Sequence, residues 1–222
     1  MGLDDEKRVA AEAAAGLVEA GMTIGLGTGT TVAHLLPAIT RRGLTDLRCV
    51  STSPATEGLA RALGLRTESF EGVEAFDLAI DGADQVAPDW WLVKGGGAAH
   101  TREKLVAAAA ARFVVIADSS KTVERITAPI PLELVPFGVA STLTRLSTEL
   151  GPTVLRDVPR SPDGGVIADY CGEVGDPAEL AARLSAAPGV VEHGLFPPTM
   201  VTAVVVGRGN EAVWLDRAPA SR

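Results

Sequence analysis

Short apolar runs alternate with helical patterns along the first half of the chain. Runs with the length of buried strands occur at 22–26 (MTIGL), 47–52 (LRCVST), 76–81 (FDLAID) and 112–118 (RFVVIAD). The segments between them, TVAHLLPAITRR, PATEGLARALG and TREKLVAAAAA, and the amino-terminal segment 4–20 repeat apolar residues at helical spacing. This alternation predicts an α/β fold with an open, mostly parallel, Rossmann-like sheet and helices on both faces.

The pattern changes after Lys121. The segment ITAPIPLELVPFG is too rich in proline to form one regular element, and the helical and strand-like segments beyond it predict a smaller α+β subdomain over residues 128–202. Two apolar segments near the carboxyl end, TAVVVG and EAVWL, are expected to return to the main sheet. The predicted main domain therefore comprises residues 1–127 and 203–222.

Composition narrows the environment of the protein and the class of its ligand. The 222 residues are 46% hydrophobic, which is enough for a sizeable core, yet every apolar stretch is interrupted before the roughly 18 residues of a membrane span. Cys49 and Cys171 lie far apart and suit reduced thiols, and no secretory signal is visible, so we expect a soluble, cytoplasmic protein. The net charge of −8 argues against a nucleic-acid partner. Because the chain as a whole is acidic, an anionic small molecule would have to be bound by a few lysines at a local site.

Four loops have compositions that favour ligand binding. The first, GLGTGTT at 25–31, combines glycines that let a backbone approach a ligand with a helix start that attracts anions. It resembles a dinucleotide-binding motif but lacks the full GxGxxG spacing, and the lysine of a P-loop is missing. A tight strand-to-helix turn capped by threonine is the structural alternative.

The second and fourth loops follow the third and fourth predicted strands. Asp81 and Asp84 flank a glycine, and two such carboxylates can bind sugar hydroxyls or a metal, or exchange protons. A metal is the less favoured reading because no histidine or third carboxylate lies at ligand spacing. Lys121, in DSSK, is placed to bind a phosphate. Ordinary surface turns with solvated charges are the alternative for both loops.

The third loop, KGGGAAHTREK, places a cation and a carboxylate on either side of three glycines. The backbone amides of Gly95–Gly97 can bind an oxyanion beside Lys94. Thr101 is a candidate helix cap, which would set Glu103 in the first helical turn, where the helix dipole favours an ionised carboxylate. A helix-start acid that only faces solvent is the alternative. Because all four loops follow strands of one predicted sheet, we expect them to converge on one rim.

Together these segments resemble a known family. The motifs GLGTGTT, DLAIDGADQV, KGGGAAHTREK, DSSK and PIPLELVPFG, in this order and spacing, are similar to ribose-5-phosphate isomerase of the A type, and PGVVEHGLF at 188–196 extends the similarity. The resemblance implies interconversion of D-ribose 5-phosphate and D-ribulose 5-phosphate through an enediolate, in the non-oxidative pentose phosphate pathway. It also implies that no metal or organic cofactor is needed and that the protein is a homodimer or homotetramer.

The resemblance assigns a role to each loop. Glu103 matches the catalytic base, and Asp81 and Asp84 match sugar-binding acids with a part in catalysis. The remaining matches are to substrate-binding positions: Thr28, Gly29, Thr30, Thr31, Gly82, Ala83, Lys94, Gly95, Gly96, Gly97 and Lys121. Of these, Lys94 is also expected to stabilise the oxyanion.

The chain departs from the family pattern in three places. Gln85 stands where an acid is usual, His100 stands where a large hydrophobic residue is common, and SPDGG at 161–165 replaces a Thr-Asp-Asn-Gly-Asn turn. We read His100 as a loop residue without an assigned role, and Lys7 as a further candidate for contact with an anion. Two other functions fit the fold class: a non-enzymatic sugar-phosphate sensor and a coenzyme A transferase-like enzyme.

Overall fold

A computed structural model describes residues 2–216 of the chain. Contacts within it divide these residues into two units, the first comprising 2–83, 102–122 and 199–216 and the second comprising 84–101 and 123–198. This division differs from the boundaries expected from sequence, because the segments 84–101 and 123–127 belong to the second unit and the segment 199–202 to the first. Residues 217–222 of the expected main domain lie outside the described residues.

Six helices and thirteen strands of two residues or more make up the described part of the chain. The helices are α1 (Leu3–Ala15), α2 (Thr30–Arg41), α3 (Pro54–Ala62), α4 (His100–Ala108), α5 (Val139–Glu149) and α6 (Pro177–Ala186). The strands are β1 (Thr23–Leu26), β2 (Arg48–Ser51), β3 (Leu78–Gly82), β4 (Gln85–Val86), β5 (Leu92–Val93), β6 (Phe113–Asp118), β7 (Ile130–Leu134), β8 (Thr153–Leu155), β9 (Val166–Tyr170), β10 (Val190–His193), β11 (Leu195–Phe196), β12 (Ala203–Arg208) and β13 (Glu211–Trp214). None of the described helices combines the length and apolarity that a membrane crossing requires.

The first unit is built on a six-stranded sheet in the order β13-β12-β6-β3-β1-β2. All its neighbouring strands are parallel except β12 and β13, which pair antiparallel. The prediction of an α/β fold with a mostly parallel sheet is therefore confirmed, and so is the return of the two carboxyl-terminal segments to that sheet.

Burial explains why these segments form the core of the first unit. All six residues of β6 are buried, as expected for a strand flanked by neighbours on both sides. Helix α1 buries a stripe of alanines, whose small side chains allow close packing: Ala10, Ala11, Ala14 and Ala15. It ends at Ala15 rather than near residue 20, because the amides of Gly16, Leu17 and Val18 bond to carbonyls three residues back and the α-helical pattern stops there.

The second unit contains two antiparallel sheets. One has the strand order β10-β7-β9-β8 and the other the order β11-β5-β4. The proline-rich segment ITAPIPLELVPFG contributes β7, all five residues of which are buried, so it holds one short strand between irregular ends. A core of apolar residues from β7, α5, β9 and α6 includes Leu132, Leu146, Ala168, Leu180 and Leu184.

Candidate active site

Three of the four candidate loops of the sequence follow adjacent parallel strands of the first unit, although Asp84 of the second loop already belongs to the second unit. The order β6-β3-β1 places the carboxyl ends of these strands side by side. The loop after β1 carries Thr28 and Gly29, the loop after β3 carries Ala83, and the loop after β6 carries Lys121. The expected convergence is therefore present for these three, in the place where open α/β sheets bind ligands.

The loop after β1 turns directly into helix α2. Gly29 precedes the helix with φ of 113°, a backbone conformation that favours glycine, and Thr30 and Thr31 form the first helical residues. Among the described residues, the first turn of α2 contains no acidic side chain and no side chain caps it. Its amide groups and the positive end of its dipole are suited to an anionic group.

Asp81 ties the loops after β1 and β3 together. Its carboxylate is buried, with 3% of the residue exposed, and Oδ1 accepts hydrogen bonds from the amides of Thr28 at 3.0 Å and Gly82 at 2.6 Å. A Cβ atom at Gly27 would lie 1.9 Å from the carboxylate carbon, so only glycine fits beside it. The hydroxyl of Thr28 also shares a hydrogen bond of 2.8 Å with that of Thr52.

The loop after β6 is held by Glu6 of helix α1. The Glu6 carboxylate accepts hydrogen bonds from the amide of Ser119 at 2.9 Å, its hydroxyl at 2.5 Å, and the amide of Gly209 at 3.0 Å. These bonds, led by that from Gly209, lower the pKa of Glu6 to about 2. Residues Ser119–Lys121 of this loop form a short 3₁₀ turn, and Lys121, its last residue, is partly exposed. Lys7 follows Glu6 in α1 and is also partly exposed.

Glu103 lies in the first turn of α4, as predicted, and is buried with 5% of the residue exposed. The expected cap at Thr101 is wrong, because α4 already begins at His100 and Thr101 lies inside it. The Thr101 hydroxyl instead donates a hydrogen bond to the buried carboxylate of Glu133. That carboxylate also accepts a hydrogen bond from the hydroxyl of Ser161, the first residue of the SPDGG turn.

The glycine loop belongs to the second unit, which corrects the expectation that it follows a strand of the main sheet. It follows β5, a two-residue strand paired antiparallel with β11 and β4. Two residues leave too little apolar pattern to reveal such a strand in the sequence. Lys94 is buried, with 3% exposed, and its Nζ lies 5.5 Å from the ring centroid of Phe196.

Polar contacts fix the backbone of this loop. The amide of Gly96 donates a hydrogen bond of 2.7 Å to Asp84, whose own amide bonds to the carbonyl of Val93. The carbonyls of Gly95 and Gly96 accept hydrogen bonds from Arg156 at 2.8 and 3.2 Å. Gly96 and Gly97 are exposed. Arg156 follows a different strand some 60 residues later, and no signal in the sequence indicated its contact with this loop.

Two of the departures from the family pattern have structural explanations. The side chain of Gln85 exchanges hydrogen bonds with the backbone of Thr127, accepting from the amide at 2.9 Å and donating to the carbonyl at 2.8 Å. His100 is fully buried and is the first residue of α4 rather than a loop residue. Its ring occupies the space beside Gly95, where a Cβ atom would lie 2.7 Å from Nδ1.

Other groups in the described residues are less suited to chemistry. Within residues 2–216, no group of three or more histidine, cysteine, aspartate or glutamate side chains is arranged to hold a metal ion. Both cysteines are free thiols, and burial, with the nearby charge of Glu68, raises the pKa of Cys49 to about 11. Neither cysteine lies in one of the four candidate loops.

Comparison with known proteins gives a consistent result. Residues 48–211 match the family model described as ribose 5-phosphate isomerase A (phosphoriboisomerase A). The chain is 48% identical over 207 residues to ribose-5-phosphate isomerase A of Caulobacter vibrioides, covering 88% of this chain and 91% of that protein.

Solved structures agree over nearly the whole length. The crystal structure of ribose 5 phosphate isomerase A from Neisseria gonorrhoeae matches with a TM-score of 0.94 at 31% identity, covering 98% of this chain and 99% of that one. A D-ribose-5-phosphate isomerase in complex with phospho-erythronic acid matches with a TM-score of 0.90 at 33% identity, covering 98% and 100%. The chain therefore belongs to the ribose 5-phosphate isomerase A family, a family of aldose–ketose isomerases.

Proposed function

We propose that this protein interconverts D-ribose 5-phosphate and D-ribulose 5-phosphate, with Glu103 as the base. The observation that carries the proposal is the burial of Glu103 in the first turn of α4, in a chain that matches the family model from residue 48 to 211. The positive end of a helix dipole favours the ionised carboxylate that a base requires. Burial also lowers the local dielectric constant, which strengthens the electrostatic interactions of the carboxylate with the groups around it.

In the proposed reaction, Glu103 removes the proton from C2 of the open-chain aldose. The electrons of that C–H bond form a C1–C2 double bond, and those of the C1 carbonyl move to its oxygen, which gives the enediolate. The proton of the C2 hydroxyl is transferred to the C1 oxygen, and Glu103 returns its proton to C1. The products are the ketone at C2 and the regenerated carboxylate.

Lys94 and the amides of the glycine loop are proposed to stabilise the enediolate oxygen. A buried ammonium group and preorganised amides are the types of donor that stabilise a developing oxyanion. The contacts that fix Gly95 and Gly96 support this role, because donors that are already oriented need not reorganise during the reaction. Asp81 and Asp84 are proposed to bind the sugar hydroxyls, and one of them to carry the proton between the two oxygens.

The phosphate is proposed to bind at the start of α2. Thr28, Gly29, Thr30 and Thr31 would supply amides and hydroxyls, and Lys121 a positive charge. These residues follow β1 and β6, which lie on either side of β3 in the same sheet, and this supports a common role. The phospho-erythronic acid bound by a relative of 33% identity is itself a sugar-acid phosphate and fits the same donor set. Binding of the phosphate would orient C1 and C2 for the base.

We propose that the reaction requires no metal or organic cofactor, that it serves the non-oxidative pentose phosphate pathway in the cytoplasm, and that the protein acts as a homodimer or homotetramer. Full turnover in the presence of EDTA tests the first of these. The mass of the purified protein in solution, measured by light scattering, tests the last.

The base is tested by isomerisation in deuterated water with Glu103→Gln. Wild type should convert ribose 5-phosphate to ribulose 5-phosphate with deuterium entering at carbon, and the variant should lower kcat about 10²–10⁴-fold because the amide cannot accept the proton. Glu179→Gln is the matched control, since Glu179 also lies in the first turn of a helix but is exposed. A wild-type rate in Glu103→Gln would remove Glu103 from this role, and an inactive wild type would refute the isomerase.

A further inference from the structure

One guanidinium group joins a strand pair of the second unit to the glycine loop. Arg156 directly follows β8, and Asp169 lies on β9, the antiparallel partner of β8. The two side chains form a bidentate ion pair, with Nε 2.9 Å from Oδ2 and Nη2 2.5 Å from Oδ1. Only 18% of the Arg156 side chain and 15% of the Asp169 side chain are exposed. The pair therefore fixes the plane of the guanidinium on a paired strand.

The remaining terminal nitrogen of Arg156 faces the loop. Nη1 donates hydrogen bonds to the carbonyls of Gly95 at 2.8 Å and Gly96 at 3.2 Å. The hydrogen bonds and charge of Asp169, with a contribution from Asp84, raise the pKa of Arg156, so it stays charged. Charged donors form the stronger class of hydrogen bond to a carbonyl oxygen.

These bonds determine which way the loop amides point. In a planar trans peptide the C=O and the following N–H point in opposite directions. The carbonyl of Gly95 points to Arg156, and the amide of Gly96 on the same peptide plane points to Asp84 at 2.7 Å. The carbonyl of Gly96 also points to Arg156, and the amide of Gly97 is consequently turned away from the guanidinium.

The sequence of the loop explains why contacts from outside it, such as those of Arg156, are needed to order its backbone. Three successive glycines have no side chains to pack and lose the most conformational entropy on ordering. Gly95 adopts φ of 108°, and a Cβ atom there would lie 2.8 Å from that of Pro131, so a side chain cannot be added to stiffen the loop. At Gly96 a Cβ atom would lie 2.8 Å from Asp84. Polar contacts must supply the order instead.

We infer that Arg156 is a positioning residue for the isomerase reaction: held by Asp169, it orients the peptide plane that presents the amide of Gly97 in the glycine loop to the enediolate oxygen. The inference depends on the proposed function of that loop. It assigns to Arg156 no contact with the substrate, and it predicts that loss of the guanidinium affects the transition state more than substrate binding.

The test compares Arg156→Lys, Arg156→Ala and Asp169→Asn in the full chain. We expect kcat to fall about 10–100-fold, because small misplacements of catalytic groups have effects of this size, whereas KM should change less than about threefold. Arg156→Lys should retain more activity than Arg156→Ala, because lysine keeps the positive charge, although it cannot form the bidentate pair with Asp169. Affinity for phospho-erythronic acid, whose carboxylate resembles the enediolate in charge, should fall in parallel with kcat/KM.

A control and an independent readout complete the design. Arg160→Lys is the matched control, because Arg160 is exposed and its hydrogen bond of 3.4 Å goes to Gly164 within its own turn. Hydrogen exchange of the Gly96 and Gly97 amides, followed by NMR without ligand, should accelerate in Arg156→Lys and not in Arg160→Lys. This readout needs no activity, so it remains informative if the wild type proves not to be an isomerase.

The outcomes are distinct. The inference is overturned if Arg156→Lys and Asp169→Asn melt like wild type and keep kcat, inhibitor affinity and glycine exchange within about twofold of wild type, far below the expected misplacement effect. It is equally overturned if Arg160→Lys loses as much activity as Arg156→Lys, because the loss would then reflect general damage to the unit. If wild type is inactive but glycine exchange accelerates in Arg156→Lys, the proposed function is refuted, whereas the ordering of the glycine loop by Arg156 is supported.

Discussion

At the scale of single residues, a local hydrogen-bond network alters the ionisation of Glu6. This residue lies among the acids of the first turn of α1, where the sequence gives it no distinction from Asp4 or Asp5. In the folded protein its carboxylate accepts three hydrogen bonds, from Gly209 and from the amide and hydroxyl of Ser119. It thereby connects α1 to the loop that carries Lys121.

We predict that Glu6 stabilises the protein in a pH-dependent manner. Its pKa falls from 4.5 to about 2 on folding. A lowered carboxylate pKa contributes stability that is fully present above the unfolded value and is lost as the pH falls through the folded value. The difference in thermal midpoint between wild type and Glu6→Gln should therefore be largest above about pH 5, where the unfolded carboxylate is also ionised, and should shrink towards pH 2.

Thermal unfolding followed by circular dichroism from pH 7 to pH 2 measures this difference. Ser119→Ala removes one of the three hydrogen bonds and should give a smaller difference in the same pH range. A difference in thermal midpoint between wild type and Glu6→Gln that stays constant from pH 7 to pH 2 would contradict the lowered pKa of Glu6.

At the scale of elements, Gly25, Gly27 and Gly29 lie at the junction of β1 with α2, and each position requires glycine for a different structural reason. A Cβ atom at Gly25 would lie 2.2 Å from Val106, so that residue is small because α4 packs there. Gly27 is small because of the Asp81 carboxylate, and Gly29 has a positive φ. The glycine pattern that resembles a dinucleotide-binding motif is therefore explained locally, by close packing at Gly25 and Gly27 and by backbone conformation at Gly29.

A pair of glycine substitutions tests this interpretation. Gly27→Ala should lower kcat/KM about tenfold or more, because the added methyl group must displace Asp81, and should destabilise the protein by about 1–3 kcal/mol through overpacking. Gly58→Ala, in the middle of α3 with nothing within 4 Å of the new Cβ atom, should instead stabilise by about 0.5–1 kcal/mol. Chemical denaturation and steady-state kinetics measure both. Equal activity of the two variants would show that Gly27 does not constrain Asp81.

At the scale of the whole molecule, the largest sheet of each unit has a fully buried strand in its interior. In the first unit β6 lies between β3 and β12 and is buried throughout, whereas β13 is an edge strand with exposed residues at both ends. In the second unit β7 lies between β10 and β9 and is also fully buried. Central strands of this kind open only with extensive unfolding.

Hydrogen exchange should follow this arrangement. We predict that the amides of β6 and β7 exchange most slowly in their units and that those of β13 and β8 exchange at least about tenfold faster, because edge strands open locally. Mass spectrometry of peptic fragments measures the rates. Slower exchange in β13 than in β6 would contradict the strand order of the first sheet.

Local pattern was enough to predict much of this molecule. The four apolar runs became β1, β2, β3 and β6, because strand and helix periodicities are properties of neighbouring residues. The position of Glu103 in a first helical turn followed from the same kind of signal. The family also followed from the sequence, because its motifs are contiguous segments whose order and spacing can be read directly.

Only the tertiary structure decided which sheet and which partners each loop has. The glycine loop belongs with β5 because two residues pair with Leu195 and Phe196, about a hundred positions away. Arg156, Glu133 and Glu6 owe their contacts to chain segments that are distant in sequence. Hydrophobic periodicity indicates which face of a helix or strand is buried. It does not record which distant backbone group a side chain will meet, and that choice is made when the chain packs.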